Sequence, residues 1–231
     1  MPPVCLSCGA SLESGPRTVA ALPAGWPPET AAFLASGPGA DGGGAAARVL
    51  CDRCLFRLRP AGWTGGSVVS PFRINAALLE TVRFLKFSGG RAAVPLLGWW
   101  MANAAAPRAG SRAIIVNVPL HPRRQRERGY DQAALLAVEV GYILRLPFGR
   151  GVLRRARHTR GQSLLDRVER EGNVRGAFSL ARPAEVTGKD VILVDDLVTS
   201  GATARACLAA LERGAPRTTT VLAAGRAAGI D

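Results

Sequence analysis

The stretch VILVDDLVTSGATARACLAALERG (191–214) decides how this chain is read. Val191 to Val194 form a continuous apolar run, the pattern of a strand buried on both faces. Farther on, Ala204, Cys207, Leu208 and Leu211 recur at helical spacing over 203–214, and Gly214 stands where a helix would end. Between strand and helix lie Asp195 and Asp196, followed by the small or hydroxyl-bearing residues Thr199, Ser200, Gly201, Ala202 and Thr203. A strand, a tight loop and a helix in that order place the loop at the carboxyl end of a parallel strand, where open α/β sheets bind ligands.

The loop suits an anion. Its small residues let backbone N–H groups approach a phosphate, its hydroxyls add donors, and the helix amino terminus adds partial positive charge. The two carboxylates would repel that phosphate if they faced it, so they are expected to face another part of the same ligand. A sugar diol donates two hydrogen bonds, and an ionised carboxylate accepts them. Pair and loop together specify a ribose 5-phosphate, with the diol on Asp195 and Asp196 and the phosphate on 199–203. A Walker-type acidic strand end is the competing reading, but the chain has no GxxxxGK[ST] loop to accompany it.

Working outward, apolar patterns after residue 70 alternate between helical and strand periods, which predicts an α/β domain over 70–231 with a mostly parallel sheet. Helices are expected over 74–87, about 91–105 and 131–146, and strands over 113–118 and 218–224. Shorter strands are expected near 152–154 and 177–180. Cys207 falls on the apolar face of its helix and reads as a core residue. Trp99 and Trp100 read as core or interface residues.

The first 62 residues are organised differently. Cys5 and Cys8, and Cys51 and Cys54, are both C-x2-C pairs, the spacing at which a tight knuckle aims two thiolates at one tetrahedral zinc. The four together make a structural zinc ribbon in region 1–62. Residues from about 14 to 47 are dense in Pro, Gly and Ala and read as a flexible insertion between the knuckles. The resulting long loop adds only about 0.6 kcal/mol of closure entropy per doubling of length. The opening MPPVCLSCGASLE lacks the basic flank and apolar run of a secretory signal. The most apolar long window, 92–106, is too short for a spanning helix of about 20 residues. A cytoplasmic protein without a transmembrane segment is expected, and disulfides are disfavoured there.

The formal net charge is +13, from 30 basic and 17 acidic residues. Only Lys86 and Lys189 are lysines, so 28 of the 30 are arginine. A coding bias explains the arginines but not the positive excess, which points to a polyanionic partner such as nucleic acid or a phosphorylated substrate. Two clusters stand out. Arg123, Arg124, Arg126 and Arg128 directly follow the 113–118 strand, where the pyrophosphate of a ligand would need cations. A second cluster runs from Arg154 to Arg160. His121, beside the first cluster, reads as a structural hydrogen-bonding residue.

With the cysteine pairs, the segment LKFSG (85–89), the loop VPLHPRRQRERGYDQ (118–132) and the acidic strand end, the chain resembles the ComF family of competence-associated phosphoribosyltransferase-like proteins. The resemblance runs over essentially the whole chain outside the 14–47 insertion. It implies a type I phosphoribosyltransferase fold with a small amino-terminal zinc ribbon, and a role in handling single-stranded DNA during natural transformation. Competence helicase and recombination-mediator proteins are the implied partners. Carried over, ribose contacts of 5-phosphoribosyl 1-pyrophosphate (PRPP), bound with Mg²⁺, fall on Asp195 and Asp196, and the phosphate loop on Thr199 to Thr203. Pyrophosphate or DNA contacts fall on Arg123, Arg124, Arg126 and Arg128. Asp131 stands where the family commonly has Asn, adding negative charge beside the arginines. An active Mg²⁺-dependent phosphoribosyltransferase of nucleobase or nucleotide metabolism is the alternative function, although only seven residues follow the last expected strand.

Overall fold

A computed structural model describes residues 5, 7, 50, 54, 57–61, 67–87, 91–155 and 176–229. Short strands β1 (Arg59–Pro60), β2 (Val68–Val69) and β3 (Phe72–Arg73) precede helix α1 (Ala76–Phe87) and helix α2 (Val94–Ala105). Strand β4 (Ala113–Asn117), helix α3 (Pro122–Arg128) and helix α4 (Gln132–Leu144) follow. The chain then forms the hairpin β5 (Leu153–Arg155) and β6 (Phe178–Leu180), strand β7 (Asp190–Val198), helix α5 (Ala202–Leu211) and strand β8 (Thr218–Arg226).

The main sheet runs β1-β3-β8-β7-β4, with β2 also paired to β8. Every pairing in it is parallel except β1 with β3. Because side chains alternate across a strand, β7 feeds two cores. Ile192 and Val194 pack with α1, α2 and α4 on one face, whereas Val191 and Leu193 pack with α5 and the β5–β6 hairpin on the other. The apolar run 191–194 is continuous because both faces of its strand are covered. Trp100 is buried against Phe72 in an edge-to-face contact with ring centroids 4.8 Å apart. Cys207 is fully buried in the second core, as its position on α5 requires.

Gly225, on β8, marks a close approach. A Cβ there would fall inside contact distance of Leu78 and 3.1 Å from Leu197 Cδ2, so only glycine lets α1 pack this near the sheet.

The path of the chain creates a crevice. After β4 the chain crosses one face through α4 to Phe148, which bridges in parallel to Ile115 on the outer edge of β4. After β7 it crosses the opposite face through α5 to β8. The chain thus leaves the neighbouring strands β4 and β7 in opposite directions, and such a reversal opens a cleft at their carboxyl ends. Among the described residues no helix is long and apolar enough to cross a membrane.

Two elements differ from the sequence expectation. Strand β7 continues to Val198, so Asp195 and Asp196 lie within it rather than after it. The arginine-rich segment after β4, read as a loop, contains helix α3. Its sequence PRRQRER has no apolar stripe to announce a helix, but it carries the end signals: Pro122 at the first turn and Gly129 in the left-handed conformation (φ 78°) at the close. His121 caps it, its Nδ1 accepting from the Arg123 N–H at 3.2 Å.

Candidate functional site

The carboxyl ends of β4 and β7 bring together the acidic pair, the 199–203 loop and part of the arginine cluster. Gly201 holds a left-handed backbone (φ 73°) as the residue before α5, and the Ala202 N–H reaches Ser200 Oγ at 3.4 Å. The Arg205 guanidinium donates to the Ser200 carbonyl at 3.0 Å and braces the loop from the first turn of the helix. Thr199 is exposed, and Ser200, Gly201 and Thr203 are partly exposed, while Ala202 is buried beneath them.

The two aspartates have different surroundings, as adjacent residues of one strand must. Asp196 is only 5% exposed. Lys86 Nζ, from the last turn of α1, lies 3.0 Å and 3.1 Å from its two oxygens. The Gln132 amide of α4 donates to it at 3.1 Å, and Arg128 in turn donates to Gln132 Oε1 at 3.1 Å. A chain of contacts therefore joins α3, α4, β7 and α1. Asp195, partly exposed, accepts the Asp196 N–H at 2.8 Å. It lies within electrostatic reach of Cys207 and Arg155.

Burial first, and then the neighbouring negative charge of Asp196, push the Asp195 carboxyl up to about 8, against the lowering effects of the Asp196 N–H and Lys86. Burial, with the Asp195 charge adding to it, holds Cys207 as a neutral thiol. Burial lowers the Arg128 guanidinium from its usual range, and the Arg124 charge lowers it further, while Asp196 opposes both. Arg155, on β5, is lowered by burial and by Arg124 as well. The Arg124 charge thus acts on both Arg128 and Arg155, which in turn feel the charges of Asp196 and Asp195.

The other two arginines of α3 lie elsewhere. Arg123 pairs with Glu127 at 3.0 Å one turn away, with both side chains largely exposed, and Arg126 is exposed. Asp131 does not simply add charge beside the arginines. It caps α4, accepting from the Ala134 N–H at 3.1 Å, and it also accepts from the Leu120 N–H at 2.9 Å. Burial, its largest influence, nonetheless raises its carboxyl.

Lys86, Gln132 and Arg155 join the site without having been assigned to it from sequence. Lys86 carries a signal, as one of two lysines in a chain otherwise built with arginine. Gln132 carries none. Of the cysteines expected to bind zinc, Cys5 and Cys54 are both buried in the core that contains Leu50 and Leu58; Cys8 and Cys51 lie outside the described residues. Arg154 and Arg155 form part of β5, and the rest of the second arginine cluster lies outside the described residues.

No family model matches the chain. Among known proteins it is 40% identical over 90 residues to Competence protein F of Haemophilus influenzae, a match covering 38% of this chain and 39% of that protein. It is 31% identical over 158 residues to DNA utilization protein YhgH of Salmonella typhi, covering 66% of this chain and 67% of that one. The YhgH protein of Escherichia coli O157:H7 is 34% identical over the same length with the same coverage. The match thus spans about two fifths of the competence protein and two thirds of each YhgH protein. Among solved structures the chain is similar to TT1426 from Thermus thermophilus, at 19% identity and a TM-score of 0.35, over 58% of this chain and 84% of that one. With its similarity to the YhgH proteins running through two thirds of the sequence, the chain belongs to the ComF family.

Proposed function

We propose that the cleft at the ends of β4 and β7 binds a ribose 5-phosphate group of the PRPP type, in a protein that handles single-stranded DNA during natural transformation. The observation that carries the ligand reading is the juxtaposition, at one sheet end, of a carboxylate strand, a glycine loop opening a helix and Arg128, linked through Gln132 to Asp196. The printed names of the relatives, a competence protein and DNA utilization proteins, support the cellular role. The positive excess of the chain suits a nucleic-acid backbone.

Within this reading Asp195, the less buried residue of the pair, meets the ribose diol. Asp196 holds Lys86 and Gln132 in place beneath it. The 199–203 loop takes the 5-phosphate, and Arg124, Arg128 and Arg155 take the pyrophosphate. The residues fit a divalent cation accompanying PRPP, because two adjacent carboxylates, Asp195 and Asp196, stand at the carboxyl end of β7. Mg²⁺, when bound with PRPP, would neutralise pyrophosphate charge next to Asp195. For the structural zinc, Cys5 and Cys54, one from each C-x2-C pair, are both buried in the first core, and Cys8 and Cys51 would complete the four thiolates.

Titration calorimetry with PRPP in the presence of Mg²⁺ tests the ligand reading. Heat of binding is expected from the unmutated protein and its loss from Asp195→Ala; no heat from the unmutated protein overturns it. Anisotropy with a labelled oligonucleotide tests the DNA reading. Binding should weaken steeply as salt rises, because backbone contacts release counterions. Salt-insensitive or absent binding overturns it.

A further inference from the structure

Phe87 ends α1 one residue after Lys86, the partner of Asp196, and its side chain is 71% exposed. One exposed apolar side chain is ordinary by itself; the setting of this one decides what it can do. Its surroundings are cationic. The Arg128 guanidinium lies over the ring, 4.9 Å from its centroid, and is held there by Gln132. Alongside, the Arg91 guanidinium lies 5.4 Å from the Tyr130 ring, and the Tyr130 hydroxyl donates to the Leu85 carbonyl at the end of the same helix. Arginines and aromatic rings therefore interleave around the end of α1.

An exposed ring backed by a guanidinium among phosphate-binding cations suits one ligand chemistry: a nucleobase joined to a phosphodiester chain. Every base has a π-face that stacks on an aromatic side chain regardless of sequence, and neighbouring phosphates seek arginine. A duplex keeps its bases stacked on each other, so the ring selects single strands.

We infer that Phe87 is the base-stacking platform of a single-stranded DNA site on the rim of the cleft, with Arg91 as the phosphate contact beside it. The inference rests on the DNA-handling reading and assigns it a place: the end of α1, at the rim of the crevice that takes ribose phosphate.

The test is anisotropy of a fluorescein-labelled dT20 and of a fully abasic strand of the same length, with the full chain and the variants Phe87→Ala, Phe87→Leu and Phe87→Tyr. Loss of one stacked base corresponds to a fall in dT20 affinity of about five- to a hundredfold. Phe87→Ala and Phe87→Leu should both show it, Phe87→Tyr should restore binding, and the abasic strand should bind all four proteins equally. The dependence on salt should be the same for unmutated protein and variants, because no charge is removed. Equal loss on the abasic strand, or full dT20 affinity in Phe87→Leu, overturns the inference; the latter would make the ring an apolar docking point for polypeptide. No dT20 binding by the unmutated protein overturns the DNA reading itself and this inference with it, whereas unmutated binding with Phe87→Ala unchanged overturns the platform alone.

Discussion

Replacing Asp195 by asparagine should make the protein more stable at alkaline pH and leave it nearly unchanged in acid. In the folded protein the carboxyl is raised from 3.8 to about 8, while in the unfolded chain it titrates normally. Between these values the folded state holds a proton that the unfolded state has released. Stability therefore falls with rising pH. The contribution is fully present below pH 4 and is lost as pH rises through 8. At about 1.4 kcal/mol per pKa unit, the shift sets a ceiling of roughly 6 kcal/mol. The side chain keeps some exposure, and charged groups at such sites feel an effective dielectric nearer 20 than 4, so about 2–3 kcal/mol is expected. The asparagine side chain would still accept the Asp196 N–H and would never ionise. Urea denaturation of both proteins at pH 3.5, 5.0, 6.5 and 8.5 should show the variant's advantage growing from near zero at pH 3.5 to that amount at the alkaline end, equivalent to about 5–10 °C in Tm for a chain of this size. Asp131, also raised, is common to both proteins and cancels in the difference. An advantage that does not change with pH, or a variant less stable at pH 8.5, would refute the reasoning.

The Lys86 and Asp196 pair gives a second test. Lys86→Met strands a nearly buried carboxylate and should cost about 2–4 kcal/mol, while the double variant with Asp196→Asn recovers part of that loss; strictly additive losses in a denaturant cycle would deny the coupling. Asp131→Ala should cost about 1–2 kcal/mol by removing the α4 cap, and Asp131→Asn much less, as read from thermal melts. Gly225→Ala should cost about 1–3 kcal/mol in denaturant titration, because its Cβ has no room between Leu78 and Leu197. Metal analysis of purified protein should find about one zinc per chain, lost in Cys54→Ser.

Much of the core could be read along the chain. Val191 to Val194 and Ala113 to Val116 are apolar without interruption, and a strand with that pattern has to be covered on both sides. That alone placed a parallel sheet, and the small residues after it placed an anion loop at its end. The expectation that both aspartates present themselves to one ligand came from ending the strand at Val194. Extended to Val198, the same strand alternation sends Asp195 and Asp196 to opposite faces.

What only the tertiary structure decided is which charges meet. Lys86 and Asp196 are 110 residues apart, and Gln132 and Asp196 are 64 apart. No local pattern encodes such a pairing, because it depends on α1 and α4 packing on the same face of β7. Likewise the four arginines of α3 are equivalent as sequence, and only the position of that short helix against the cleft divides Arg124 and Arg128 from Arg123 and Arg126. Hydrophobic period fixes what each element buries, since burial is a property of one face. Electrostatic partnership belongs to the ends of several elements at once, and it exists only when the sheet has brought those ends together.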